Sequence, residues 1–366
     1  MGCCKNIIGS LVCIAILCGA GIAAYMYGPW NKDKDSDGSD ETPTTLTAKS
    51  SSCENCCNGL ESNCDLPINE VTWAFVHNAM SDDSFYAANN DLPLERALVE
   101  GYRGLMLDSC LCDGDNIVDL IQDYVTGNDE DSEEKNPEEQ YLGFCHGTCA
   151  AGSRSPAIVL KNIKTFLDVN PKEVLILEFE VGEGTLELLY QAINDSGLEK
   201  YVLRGLKNDG TVTSWPTFQQ LINSNRRLLL FAHDGGMGSC AKQTCPEGIF
   251  YTFDHFSQTN WNDGETCDLR GNDNTDVLNN RGFFMMNHWL NDEDLDLPSK
   301  TNAEQFNTYE FLSARVDKCD LRMPNIIAVD YWSTGDVLKF VEDQNTKLGE
   351  GGEDAVASSR SGSIRH

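Results

Sequence analysis

Cations are scarce in this chain: 27 Lys and Arg stand against 58 Asp and Glu in 366 residues, for a formal charge of −31. That deficit excludes broad electrostatic binding to nucleic acid or to an anionic bilayer, so an anionic ligand must be met by local cations or a metal. No glycine-rich phosphate loop and no G-x-G-x-x-G follows any apolar run, which argues against a nucleotide site. Internal repeats are missing, and repeat architectures are excluded with them. The acidic stretch Asn128–Lys135 lacks the spaced ligands of a calcium loop and reads as a solvated insert.

What is present suffices for one large core, since 40% of residues are apolar and 9% aromatic. Cysteine is abundant, at 16. Four (Cys3, Cys4, Cys13, Cys18) precede residue 19, and the twelve from Cys53 to Cys319 form an even set, as disulfides in an oxidising compartment require. A zinc site in Cys53, Cys56, Cys57 and Cys64 is the alternative for that cluster.

Residues 7–27 form an uncharged apolar stretch, preceded by Lys5 and followed by acidic sequence. Its length spans a bilayer as a helix, and the charge asymmetry leaves residues 1–6 in the cytosol, a type II single-pass anchor. A cleaved signal peptide is the other reading, with Gly21, Ala23 and Ala24 near a cut. Either delivers the rest of the chain to the lumen or outside. Cys3 and Cys4 suit palmitoylation, whereas Asn6 speaks against myristoylation of Gly2. Residues 28–52 read as a flexible stalk, 53–66 as a Cys-rich segment, 67–345 as the folded region and 346–366 as a disordered Gly/Ser-rich tail. Asn194-Asp-Ser196 is a glycosylation sequon.

Within 67–345, seven short apolar runs end in polar residues: Val71–Asn78, Gly104–Asp108, Leu142–His146, Val174–Glu180, Arg227–Asp234, Gly282–His288 and Asn325–Asp330. Nearly continuous hydrophobicity suits strands buried on both faces, and helical stretches such as Ile158–Leu167 separate several of them. The alternation predicts an α/β barrel or a doubly wound sheet. In a closed parallel barrel, chemistry sits at the carboxyl ends of the strands, which here carry His77, Asn78, Asp108, His146, Glu178, Glu180, His233, Asp234, Asn287, His288 and Asp330. Four of the six histidines lie at these ends. Strand periodicity puts Glu178 and Glu180 on the face of Val174 and Ile176, so at least one carboxylate needs a cation if that face is interior.

Six elements resemble, in order, the phospholipase C-like phosphodiesterases of the phosphatidylinositol-specific X-domain type, nearest to their eukaryotic, plant-like branch. They are His77-Asn78-Ala79, Gly101–Asp108, Cys145-His146-Gly147, Asn170–Glu180, Trp215-Pro216-Thr217 and Asn325–Asp330. The resemblance implies a distorted TIM barrel and a phosphoric diester hydrolase acting on a phosphatidylinositol-like or related (glyco)phospholipid. The chain is expected to be a monomer, held at the membrane by the anchor read from residues 7–27. By the same resemblance His77 is the general base, His146 the general acid and Asp330 the carboxylate that orients His77. Asn78, Asp108 and Glu180 fall on the family's metal positions and imply Ca²⁺, with Mg²⁺ second. Met106 departs from the family, standing where calcium-dependent members carry a further Glu, and Val76 replaces the usual Thr before His77. These departures keep a second reading open, a catalytically weak lipid or sugar-phosphate binding module. A glycerophosphodiester phosphodiesterase would want His-Arg-Gly in place of His77-Asn78-Ala79. Arg103, early in its strand, reads as a structural ion pair rather than a phosphate clamp.

Overall fold

A computed structural model describes residues 45–113, 140–206, 214–234, 245–262, 266–270, 274–279, 282–319 and 321–350. The expected anchor and the acidic insert lie outside these residues, as do most of the stalk and most of the tail; the last helix, Val337–Glu350, carries the folded region past the expected boundary at 345 and into the expected disordered tail. Among the described residues no helix is long and apolar enough to cross a membrane.

Among the described residues ten strands form in chain order: β1 (Trp73–Val76), β2 (Gly104–Cys112), β3 (Tyr141–Cys145), β4 (Ser153–Arg154), β5 (Leu175–Val181), β6 (Leu228–Asp234), β7 (Ile249–Tyr251), β8 (Phe256–Gln258), β9 (Phe283–Asn287) and β10 (Ile326–Val329). Eight of them pair in parallel in the order β7-β6-β5-β2-β1-β10-β9-β8, a curled sheet. Among the described residues no ladder joins its end strands β7 and β8, so the expected barrel is realised as a curled sheet open at that seam. The four-residue helix Thr252–His255 links the two.

Leu142–His146 reads as a barrel strand, yet β3 pairs antiparallel with β2 and β4, a hairpin standing off the parallel path. The run is apolar there because Phe144 is buried in the main core, and the bridges Cys110–Cys145 and Cys112–Cys149 tie the segment to β2.

Strand alternation divides the apolar side chains into two cores. The concave side is filled by Trp73, Phe75, Ile176, Phe231, Phe283 and Ile326. Gly104 sits opposite Phe75 because a Cβ there would overlap the Phe75 ring. The convex side packs Val76, Leu105, Leu177 and Val329 against helices including α1 (Pro156–Val169), where Ile163, Phe166 and Leu167 face inward. Ile158, on another face of that helix, is exposed.

Residues 46 and 48, within the expected stalk, join this core. Asn170 caps α1 and clamps them: Ala48 N–H donates to Asn170 Oδ1 at 2.9 Å and Asn170 Nδ2 donates to Leu46 O at 2.7 Å. The Cys-rich cluster is closed as Cys53–Cys56 and Cys57–Cys64, which removes the thiolates a zinc site needs. Cys267–Cys319 ties the last part of the sheet. Arg103 pairs with Glu173 at 2.6 Å, buried at the amino end of the strands, as the structural reading requires. Trp215 packs on Phe283, and Thr217 opens the helix Phe218–Asn223 with a capping box.

Candidate active site

The concave face that is apolar at its base turns polar at the carboxyl ends. Continuing the period-two register from Phe75, Met106, Ile176, Phe231 and Ala328 brings His77, Asp108, Glu178, Glu180, His233 and Asp330 to the same side. Asp234 alternates to the other face.

β1 ends where His77 N–H donates to Val329 O at 2.9 Å. The next residue, Asn78, has φ of 42°, and Tyr331 after Asp330 has φ of 46°. Both neighbouring strands therefore end in a left-handed residue that turns the chain sharply away and leaves the preceding side chain at the mouth. His77 Nδ1 lies 2.7 Å from Asp330 Oδ1. Asp330 is only 3% exposed, and Asn89 Nδ2 also donates to its Oδ1 at 3.1 Å. An ionised carboxylate only accepts, so in the neutral imidazole Nδ1 is the protonated nitrogen and Nε2 the one with the lone pair. Asn78 Nδ2 donates to Asn89 Oδ1 at 3.3 Å, and Asn90 Nδ2 donates to the carbonyls of His77 and Asn78. The indole of Trp289 stacks on the His77 ring, with centroids 3.7 Å apart and planes 9° from parallel.

His146 follows β3 between Cys145 and Cys149, each tied to β2 by a disulfide. Burial, then the charge of His77, pushes its imidazole down to about 4, while Asp330 and Glu180 pull the other way. His146 thus lies within electrostatic reach of His77, Asp330 and Glu180.

Asp108 and Glu180 are register partners on adjacent strands. Burial and then Glu180 push the Asp108 carboxyl well above the carboxylate range, with His233 opposing and Glu178 adding to the rise. Between the acids sits His233: its Nδ1 is 2.8 Å from Glu178 Oε1 and its Nε2 is 3.7 Å from Glu180 Oε2. Against burial, which opposes it, Glu178 and then Glu180 raise His233 to about 10. The interaction with His233 in turn holds Glu180 below the ordinary range, with Arg270 and His146 contributing. Glu178 is 1% exposed, whereas the Glu180 side chain is 51% exposed and opens to solvent. The cation that the paired glutamates demand is thus supplied in part by the protein itself. Among the described residues the one cluster of three His, Cys, Asp or Glu ligand atoms within 4.8 Å is Cys110, Cys145 and Cys149. All three are disulfide-bonded.

Asn287 and His288 are structural ties. Asn287 Nδ2 donates to Thr259 O at 2.8 Å. Arg315 Nη1 lies 2.9 Å from His288 Nδ1, and His288 Nε2 lies 2.8 Å from Phe306 O. Burial, then Arg315, pushes His288 down to about 3. Sequence reasoning missed Asn89, Asn90 and Trp289. Extending the alternation Phe283, Met285, Asn287 by one step would have found Trp289; no periodicity marks the loop that holds Asn89 and Asn90.

Taken together, the mouth offers a carboxylate-oriented imidazole whose Nε2 has no partner among the described residues, a second imidazole within its electrostatic reach, and an acidic wall with an internal cation. The family model for the PI-PLC X domain (PI-PLC X 1) matches residues 131–345, more than half of the chain. PI-PLC X domain-containing protein 1 of Arthroderma benhamiae is 25% identical over 305 residues, covering 79% of this chain and 89% of that protein. A PI-PLC X domain-containing protein of Arabidopsis thaliana is 25% identical over 295 residues, covering 74% of this chain and 60% of that one. Among solved structures, phosphatidylinositol-specific phospholipase C from Listeria monocytogenes is similar over 82% of this chain and 98% of its own, with 13% identity and a TM-score of 0.44. The Staphylococcus aureus enzyme of that name is similar over 84% and 99%, with 12% identity and a TM-score of 0.47. The chain belongs to the PI-PLC X-domain family.

Proposed function

We propose that this chain is a phosphoric diester hydrolase that cleaves a phosphatidylinositol-like or related (glyco)phospholipid headgroup by two-histidine acid/base catalysis. The observation that carries the reading is the 2.7 Å contact between His77 Nδ1 and the buried Asp330 carboxylate, which makes Nε2 a base aimed at the mouth.

His77 Nε2 takes the proton of a substrate hydroxyl next to the phosphodiester. The hydroxyl oxygen forms a bond to phosphorus, the bond from phosphorus to the leaving oxygen breaks, and that oxygen takes a proton from His146. A cyclic phosphate and a free alcohol result, and water can later open the ring. His146 must be protonated to serve, yet in the free protein burial and His77 hold it at about 4. An anionic phosphodiester beside it favours the imidazolium, so binding is coupled to proton uptake.

The donor set at Asn78, Asp108 and Glu180 is all hard oxygen. Its acids repel one another strongly enough to push Asp108 well up, behind burial, and this chemistry fits a hard divalent cation, Ca²⁺ or secondly Mg²⁺. When bound there, such a cation would neutralise the charge of the phosphodiester. Met106 leaves the concave face one carboxylate short at its position, and Glu178, already paired with His233, is the nearest replacement. The chain acts as a monomer, and residues 7–27 hold it to the membrane with the folded region on the luminal or outer side.

A second reading, a weakly catalytic module binding a lipid or sugar phosphate, draws on the low His146 value, which leaves the acid unprotonated at pH 7 in the free protein. Purified protein assayed on phosphatidylinositol with and without chelator, beside His77→Ala and His146→Ala, separates the two. The hydrolase reading expects turnover that both substitutions abolish; equal turnover in all three excludes it, and headgroup binding without turnover supports the module.

A further inference from the structure

We infer that Trp289 is a positioning residue for His77, fixing the plane of the imidazole so that only its Nε2 edge meets the substrate hydroxyl. The inference rests on the proposed role of His77 as base. A hydrogen bond through Nδ1 fixes one point of the ring but leaves it free to rock about the Cβ–Cγ bond. The indole removes that freedom. It covers one face of the imidazole at 3.7 Å with planes 9° apart, whereas other aromatic contacts of histidines here, such as His233 with Phe253 at 58°, are tilted.

The indole is itself anchored. Trp289 is 6% exposed, continues the concave face of β9 and belongs to the same buried core as Phe283 and Met285. Its neighbour His288 is fixed on three sides: its N–H donates to Ala328 O at 2.8 Å, Arg315 Nη1 donates to Nδ1, and Nε2–H donates to Phe306 O. Arginine is a donor only and a carbonyl an acceptor only, which settles the His288 tautomer. Arg315 Nη1 also donates to Asn287 O at 2.9 Å, so the backbone leading into Trp289 is held from behind the sheet. With Nδ1 engaged by Asp330 and one face covered, the approach left to a hydroxyl lies in the ring plane at Nε2.

The test compares full-length wild type, Trp289→Phe, Trp289→Leu and His77→Ala on phosphatidylinositol in detergent micelles, with proton spectra of the histidine rings. In wild type the carbon-bound ring protons of His77, assigned by their loss in His77→Ala, lie upfield of ordinary histidine because of the stacked indole. In Trp289→Leu they move back. Trp289→Phe keeps kcat within about threefold, and Trp289→Leu loses about tenfold or more in kcat with KM little changed, since small misplacements of a reacting group cost up to about a hundredfold. A purely structural Trp289 would lower stability and leave the kcat of the folded fraction alone. Unshifted ring protons in wild type overturn the inference whether or not Trp289→Leu folds. So does unchanged kcat in Trp289→Leu while His77→Ala is inactive, an outcome that leaves the hydrolase reading standing. Turnover in His77→Ala equal to wild type removes the hydrolase reading and the inference together.

Discussion

His77 and Asp330, 253 residues apart in sequence, meet at 2.7 Å between Nδ1 and Oδ1 where two adjacent parallel strands end. Asparagine at 330 would present an amide that can donate toward Nδ1 and favour the wrong tautomer. Asp330→Asn is expected to lower kcat by about a thousandfold or more while leaving the fold intact, measured by steady-state hydrolysis beside circular dichroism. A loss under about tenfold would show that Asp330 does not set the His77 tautomer.

The position of His146 depends on covalent ties on both sides. Cys110–Cys145 closes 35 residues and Cys112–Cys149 closes 37. Cys110→Ser with Cys145→Ser is expected to cost about 2–4 kcal/mol in denaturant unfolding, and turnover should fall more than the unfolded fraction explains. Wild-type turnover in the folded double variant would mean that the hairpin positions His146 without this bridge.

His288 gives a pH signature. Its folded value is depressed to about 3 from 6.5, so the unfolded chain binds the proton first as pH falls. The contribution to stability is whole above pH 6.5 and is lost progressively toward pH 3, about 2 kcal/mol between pH 6.5 and 5. His146, at about 4, acts in the same sense. Unfolding free energies at pH 7 and 5 should therefore converge by about that amount in His288→Asn relative to wild type. An identical pH slope in the two proteins would contradict the buried neutral imidazole.

Glu178 and His233 make the opposite case. His233 is raised to about 10, so its contribution is complete below pH 6.5 and fades as pH climbs through 10. Glu178→Gln, which strands the imidazole beside Glu180 alone, should destabilise by roughly 3 kcal/mol at pH 7 and flatten the alkaline limb in urea titrations. Equal stability across pH 7–10 would show that the pair holds no proton of its own.

Much of this was legible in the sequence because the fold places its chemistry where apolar runs stop. His77, Asp108, Glu180, His233 and Asp330 each end or follow such a run, and alternation put Glu178 and Glu180 on one face with Ile176, which the fold makes the concave one. The hairpin β3 misled because an apolar run carries no record of its partner: Cys145 reads as strand end in either orientation, and only the bridges to Cys110 and Cys112 decide. β7 and β8, three residues each, are too short to show a period. Asn89 acts through a loop that tertiary contact with Asp330 fixes, and local sequence holds no trace of a partner 241 residues away.

The most direct test of the central claim follows the phosphorus of phosphatidylinositol by ³¹P NMR during turnover by wild type, His77→Ala and His146→Ala. The account predicts a cyclic phosphodiester that appears first and only with both histidines present. A monoester formed without a cyclic precursor, or equal product from all three proteins, would contradict it.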